Sequence, residues 1–382
     1  MTNHSYDTTV AASGYLDRGH SLQRVYQALD ISAKLKSVAD DFIVKENISI
    51  EFSGEGEHCW LYIRKRGCNT DWIAQQLAAY CGVKKMAVSY AGLKDRHAVT
   101  SQWFSVQLPG RPTPEWCEFE ASFRRLESEE RVEVLKCFRH NKKLQRGALK
   151  SNTFRITLRE LSDNSEATFD SLELRCHQIA KCGVPNYFGA QRFGRNYNNL
   201  DQAEKLFARP RYKLAKHKRS LYLSAARSWL FNRILSERVK QGIWNSRLAG
   251  DVFMLNGRSA CFKDDADNAD EIDQRLMNKE INPTAIMWGQ GDIMVTSQAA
   301  DLERAVVDQF PVFRDGLIVA RLQAQRRSCR VIPEQLACSR LGDDFVISFT
   351  LPTGSYATMV LAEIFFELDE SNDNNSARAK TG

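Results

Sequence analysis

Tyr90-Ala91-Gly92-Leu93-Lys94-Asp95-Arg96-His97-Ala98-Val99-Thr100 joins two runs that alternate like β-strands. Before it, Met86, Val88 and Tyr90 alternate. After it, Phe104, Val106 and Leu108 share a face until Pro109-Gly110 stops the run. The segment between reads as a turn that holds Asp95 between Lys94 and Arg96. Gly92 supplies the unusual backbone angle or close approach that such a turn asks for. Opposite charge nearby holds a carboxyl pKa low. A permanently ionised carboxylate suits nucleophilic or electrostatic work and suits general-acid work poorly. The plainer reading, a turn residue accepting backbone amides, stays open on local sequence. His97, alone, is read as structural.

Outward from the turn, Phe42 and Val44 alternate with Ile43 and Lys45, and His58 to Arg64 puts Cys59, Leu61 and Ile63 on one side. Ile73, Leu77 and Tyr80 mark a helix, capped at Asn69 or Thr70 and ended at Gly82. Asn152-Thr153-Phe154 opens a further strand with Phe154, Ile156 and Leu158 on one face. Helices are then expected up to Cys182, along Leu223, Ala226, Leu230 and Ile234 to Gly242, and across 262–282 and 297–309. Strand character returns at Phe345, Ile347 and Phe349. Pro352-Thr353-Gly354-Ser355 leads into a helix-like run, Ala357–Phe366. The polar tail 369–382 is expected to be disordered. Strands at 40–160, helices at 166–310 and a late strand fit an α+β domain interrupted by a helical insertion, or two domains in series.

The 382 residues are enough for two domains of ordinary size. Fifty-three Lys and Arg against 47 Asp and Glu leave a net charge of +6. The basic residues are clustered: Arg139, Lys142, Lys143, Arg146 and Lys150 in one acid-free stretch, and Arg209, Arg211, Lys213, Lys216, Lys218 and Arg219 in another. Such clusters on a balanced chain point to a polyanion, and nucleic acid fits best. No apolar run approaches the roughly 20 residues of a membrane span, no segment resembles a signal peptide, and the expected place is the cytoplasm. Ten cysteines are scattered without a Cys-x-x-Cys pair. Cys176, His177 and Cys182 lack an evident fourth ligand, so reduced thiols are expected and no metal. The phosphate-binding loop, nucleophile elbow, zinc-protease helix and dinucleotide fingerprint are all missing. Phe42, Phe154 and Tyr356 suit either aromatic walls around an unstacked base or an ordinary core. Asn152 suits reading a uracil edge or capping a turn, Lys36 a phosphate contact or plain exposure. Arg192 is a candidate base reader.

Four ordered blocks carry a more specific message. They are Ala91-Gly92-Leu93-Lys94-Asp95-Arg96-His97-Ala98-Val99-Thr100; Arg146-Gly147-Ala148-Leu149-Lys150-Ser151-Asn152-Thr153-Phe154; Gly183-Val184-Pro185-Asn186-Tyr187-Phe188-Gly189-Ala190-Gln191-Arg192-Phe193-Gly194; and Leu351-Pro352-Thr353-Gly354-Ser355-Tyr356-Ala357-Thr358. In these blocks the chain resembles the pseudouridine synthase D family, from about Leu35 to Glu363. The resemblance implies isomerisation of uridine 13 of transfer RNA, with Asp95 as nucleophile, no cofactor or metal, and no obligate protein partner. It implies a discontinuous α+β catalytic domain with a mixed, mainly antiparallel sheet (1–177 and 331–368) and a family-specific inserted domain (178–330). Phe42, Asn152 and Tyr356 fall at positions resembling the family's base contacts, with Phe154 beside them. Lys36 and Arg192 complete the expected substrate set, and Lys94, Arg96, Arg139, Lys142, Lys143, Arg146 and Lys150 are the expected backbone contacts. The chain departs from the family at Ala39, where proline is typical, and at Tyr356, where phenylalanine is frequent. The alternative expectation is a non-catalytic RNA-binding module or RNA chaperone.

Overall fold

The computed structural model describes residues 22–124, 130–209 and 212–369; the tail expected to be disordered lies, from 370 on, outside the described residues. In chain order the first stretch forms β1 (Leu29–Leu35), β2 (Phe42–Ile48), β3 (His58–Arg66), α1 (Thr70–Tyr80), β4 (Val88–Tyr90), β5 (Val99–Gln107), α2 (Trp116–Arg124), β6 (Arg131–His140), β7 (Leu149–Arg159) and α3 (Glu166–Cys182). Then come β8 (Val184–Pro185), α4 (Asn198–Ala208), α5 (Lys216–Lys240), β9 (Val252–Leu255), β10 (Cys261–Lys263), α6 (Ala269–Met277), β11 (Ile281–Met287), α7 (Ser297–Val307), α8 (Pro311–Val319), β12 (Gln325–Ser328) and β13 (Arg330–Val331). The last elements are β14 (Glu334–Leu341), β15 (Asp344–Pro352), α9 (Ala357–Ala362) and β16 (Phe365–Asp369).

Packing divides the described residues into two compact units, one of 29–182, 333–354 and 364–369, the other of 22–28, 183–332 and 355–363. This division shifts the sequence-based boundaries by a few residues, at 178–182 and 331–332, and reassigns two whole segments, 22–28 and 355–363. Both segments are held by the second unit's own bonds. Val25 and Tyr26 donate backbone N–H to Glu363, and the Tyr26 hydroxyl donates to the Gly183 carbonyl.

The first unit is built on one sheet with the central order β14-β15-β7-β2-β5-β3-β6. Its pairings are antiparallel except β2 with β5 and β1 with β16. The parallel pairing of β2 with β5 brings two chain segments together. Ile43 sits opposite Val99, so the chain entering β2 and the chain entering β5 arrive at the same end of the sheet. The β3–β5–α1 side is closed by a core of Leu61, Ile63, Ile73, Leu77, Phe104 and Val106. The apolar stripe read for α1 is the face buried there, and Gly82 takes the left-handed φ of 60° that a helix stop requires.

The second unit combines helices with a four-stranded sheet, β10-β9-β11-β12. The sheet corrects two expectations: 262–282 is not one helix but a strand end, α6 and the start of β11, and strand character returns well before Phe345. β11 is buried on both faces from Ile281 to Ile286, so it has no alternation to read. It also carries Pro283, which argues against a central strand in sequence; here Pro283 pairs with Phe253 on β9. α5 follows its expected stripe, with Leu223, Ala226, Leu230 and Ile234 in the unit's main core. The run expected as one helix over Ala357–Phe366 also breaks. α9 stops at Ala362, and Phe365 begins a strand that pairs in parallel with β1.

Candidate active site

The Asp95 loop owes its position to a change of partner along β5. One edge of β5 pairs with β2 at Val99–Ser101 and with β4 at Phe104–Val106. Residues 91–98 leave the sheet between those two pairings and turn back at the point where β2 takes over. The switch leaves the Trp103 N–H without a strand partner, and the buried Glu46 carboxylate on β2 accepts it at 2.9 Å. Lys94 neutralises that carboxylate, with its ammonium 2.6 Å from Glu46 Oε1. Glu46 is fully buried and Lys94 is 11% exposed, so Lys94 is committed to the fold. It points away from the Asp95 carboxylate it adjoins in sequence.

The rest of the loop is fastened at almost every turn. The Lys94 N–H donates to Thr70 Oγ1, the Thr70 hydroxyl donates to Gln102, and the Gln102 amide donates to the Gly92 carbonyl. Arg96 Nε donates to the Gly67 carbonyl at 2.8 Å. Beneath the loop, the ammonium of buried Lys65 donates to the carbonyls of Cys68 at 2.7 Å and Asp95 at 3.2 Å. Burial pushes the Lys65 pKa down to about 8, against the pull of Cys68 and Asp95. The loop is thus a preorganised mount.

Asp95 itself presents its carboxylate outward, with 41% of the side chain exposed. Oδ1 accepts the His97 N–H at 3.0 Å, and Oδ2 accepts Lys36 Nζ at 3.0 Å. Partial burial acts to raise its pKa, but the charge and hydrogen bond of Lys36, with the His97 N–H, outweigh it and hold the carboxyl below its ordinary value. The expectation of a depressed pKa therefore holds with a different cation: Lys36, distant in sequence, replaces the flanking Lys94 and Arg96. Lys36 reaches Asp95 because it sits between β1 and the start of β2, at the end of the sheet where β5 begins. It adopts a left-handed φ of 61° to do so, a conformation that costs a lysine about 1 kcal/mol or more. Its ammonium also lies 4.7 Å over the Phe42 ring.

Strand register places the remaining candidates of this unit. Phe42, Val44 and Glu46 alternate onto one face of β2, opposite Ile156, Phe154 and Asn152 on β7. Directly opposed residues share a face, so Phe42, Phe154 and Asn152 lie on the face where Glu46 meets Lys94. Phe42 and Phe154 pack edge to face, with centroids 6.2 Å apart and both rings buried; they serve as core as well as candidate wall. Asn152 Oδ1 is buried without a hydrogen-bond partner, which leaves an acceptor open for a ligand. Tyr356 and Arg192 belong to the second unit. There Arg192 Nε donates to the Tyr356 hydroxyl at 2.9 Å, so the hydroxyl that phenylalanine would lack is satisfied. Tyr356 packs edge-on against Phe188, and Arg327 lies 4.0 Å over the Phe188 ring.

Of the expected phosphate contacts, Arg139 is bonded to Thr113 and the Arg111 carbonyl, and Lys143 to the Met86 carbonyl. Lys142 and Lys150 are exposed. The Arg146 side chain and Arg211 lie outside the described residues. Among the described residues, no group of three or more His, Cys, Asp or Glu is arranged to hold a metal ion, and no helix is long and apolar enough to cross a membrane. Sequence reading missed Lys65, Glu46 and Gln102. A lysine and a glutamate inside strongly β-like runs were the available signal.

The family model of tRNA pseudouridine synthase D matches residues 23–215 and 197–364. The chain belongs to the tRNA pseudouridine synthase D family. It is 46% identical over 344 residues to the tRNA pseudouridine synthase D of Methylococcus capsulatus, covering 90% of this chain and 94% of that one. Identity to the protein of the same name from Hydrogenovibrio crunogenus is 42% over 335 residues, covering 87% and 93%. The fold is similar to the crystal structure of a tRNA pseudouridine synthase D protein from Methanosarcina mazei. The TM-score is 0.67 at 22% identity, over 90% of this chain and 96% of that one.

Proposed function

We propose that this chain isomerises a uridine of transfer RNA to pseudouridine, that the uridine is number 13, and that Asp95 is the nucleophile. The observation that carries the reading is the Asp95 carboxylate itself, half exposed, kept ionised by Lys36 and mounted on a loop fixed from beneath by Lys65. In the reaction the N1–C1′ bond breaks, the uracil turns, and a C5–C1′ bond forms. The C5 proton leaves and N1 gains one, so the product is an isomer and no redox partner enters. Two routes use the same ionised oxygen: attack at C1′, or removal of the C2′ proton to give a glycal. The uridine must first leave its stack, at a cost of a few kcal/mol. Phosphate contacts from Lys142 and Lys150 and stacking on the aromatic residues help offset it. The open Asn152 Oδ1 suits the imide N–H of uracil and holds the freed base while it turns.

The test is to treat unmodified transfer RNA, digest it to nucleosides and map the modified position. Pseudouridine at position 13 is the expected result. Pseudouridine elsewhere removes the position alone, cleaved RNA points to a hydrolase, and unchanged RNA leaves a binding module.

A further inference from the structure

Asp95 is one of the residues lining an open hollow of about 720 Å³, together with Asn69 at the N-cap of α1, Trp72 and Gln75 on α1, and Leu93 and His97 on the loop. A ligand pocket of that size holds a group as large as a nucleotide. Asn69, Trp72 and Gln75 are spaced by three along the helix and so form one stripe. That stripe offers an amide, an indole and a second amide in succession. Asn69 sits at the N-cap of α1, yet its side chain makes no capping bond, so its amide is not spent on the helix. Leu93 is 74% exposed, with the bulk of its apolar side chain uncovered two residues from the carboxylate. Both carboxylates that line the hollow are engaged: Asp71 by Lys85 at 2.8 Å and by the Tyr90 hydroxyl at 2.5 Å, and Asp95 by Lys36 at 3.0 Å.

We infer that this hollow is the subsite for the nucleotide next to the target uridine in the same RNA strand. The inference rests on the reading of Asp95 as the residue that meets the uridine sugar. If that sugar is at Asp95, its neighbour is one phosphodiester step away, and Asp95 itself lines the hollow. The neighbour's base packs on Trp72 and Leu93, and the amides of Asn69 and Gln75 read its edge by donating and accepting at once. The subsite thus gives the enzyme a sequence preference beside the uridine, drawn from residues that take no part in the chemistry.

The experiment is a thermodynamic cycle in kcat/KM. Wild type and a Gln75→Ala/Leu93→Ser variant, both changes at exposed positions, act on a transfer RNA and on two versions made abasic at the 5′ or the 3′ neighbour of the target. On the order of tenfold is expected to be lost by wild type on one abasic RNA, and by the variant on intact RNA. The variant should then lose nothing further on that abasic RNA. Losses that multiply, or abasic neighbours that are neutral on both sides for wild type, overturn the subsite. A wild type that forms no pseudouridine on any of the three overturns the reaction itself, so the two failures are distinct.

Discussion

Lys65→Met, followed across pH, tests the mount beneath Asp95. Lys65 is 1% exposed, and its ammonium donates to two loop carbonyls. Burial lowers its pKa from the ordinary 10.5 to about 8. Below pH 8 the lysine is charged in both folded and unfolded chains, and the folded state bears the full cost of the buried charge. Between 8 and 10.5 the folded state has released its proton and the unfolded state has not. The unfolded state then binds more protons, so stability rises with pH over that window. The gap between 10.5 and about 8, at roughly 1.36 kcal/mol per pH unit, amounts to about 3 kcal/mol. Urea unfolding of wild type and variant at stepped pH reads this directly, because the other titrating groups cancel in the difference. Wild type should gain about 3 kcal/mol on the variant between pH 7.5 and 10.5. A difference that stays flat over that range refutes the claim that a charged lysine is buried there. Turnover of the variant should fall at every pH, since the Asp95 carbonyl loses its donor.

Lys94→Met strands the buried Glu46 carboxylate and should cost about 3 kcal/mol or more in thermal or urea unfolding. Adding Glu46→Gln should restore most of it, whereas a merely RNA-contacting lysine would leave stability unchanged. Lys36→Met removes the main charge holding Asp95 ionised, so the acid limb of kcat/KM should move to higher pH. The stability that Asp95 draws from the pair is present above its unfolded pKa and fades as pH falls through the lower folded value. For so exposed a carboxylate it is about 1 kcal/mol or less. An unmoved acid limb would separate Lys36 from Asp95. Lys142→Ala with Lys150→Ala should flatten the slope of log affinity against log salt by about 1 to 2; an unchanged slope takes both residues off the phosphate path.

The strands flanking Asp95 were legible because apolar and polar residues alternate in their sequence, as Phe104, Val106 and Leu108 do with Ser105 and Gln107, even though β5 is buried on both faces, and α1 because its stripe is continuous. β11 was not, since its proline reads as a breaker and Ala285-Ile286-Met287 runs apolar without alternation. At the site, the carboxylate could be found and its low pKa anticipated, but the cation could not be assigned. Sequence neighbours in an extended loop point to opposite sides, so Lys94 went to Glu46 while Lys36 was brought in by a parallel pairing of β2 with β5. Glu46 and Lys65 escaped notice for a related reason. Glu46 takes up the Trp103 N–H at a ladder interruption and Lys65 ties down the loop carbonyls of Cys68 and Asp95, needs that exist only once the strands and the loop are assembled. The Tyr356 hydroxyl, by contrast, follows from the residue type alone: a tyrosine where phenylalanine is frequent adds a group that needs a partner, and Arg192 supplies it.

The most direct measurement is release of tritium from transfer RNA labelled at C5 of its uridines, comparing wild type with Asp95→Asn. Asparagine keeps the acceptor for the His97 N–H and the shape of the loop, and removes only the ionised oxygen. Release by wild type, none by the variant, and RNA binding within a few-fold of wild type is the predicted outcome. Tritium release by the Asp95→Asn variant at a rate near wild type would contradict it.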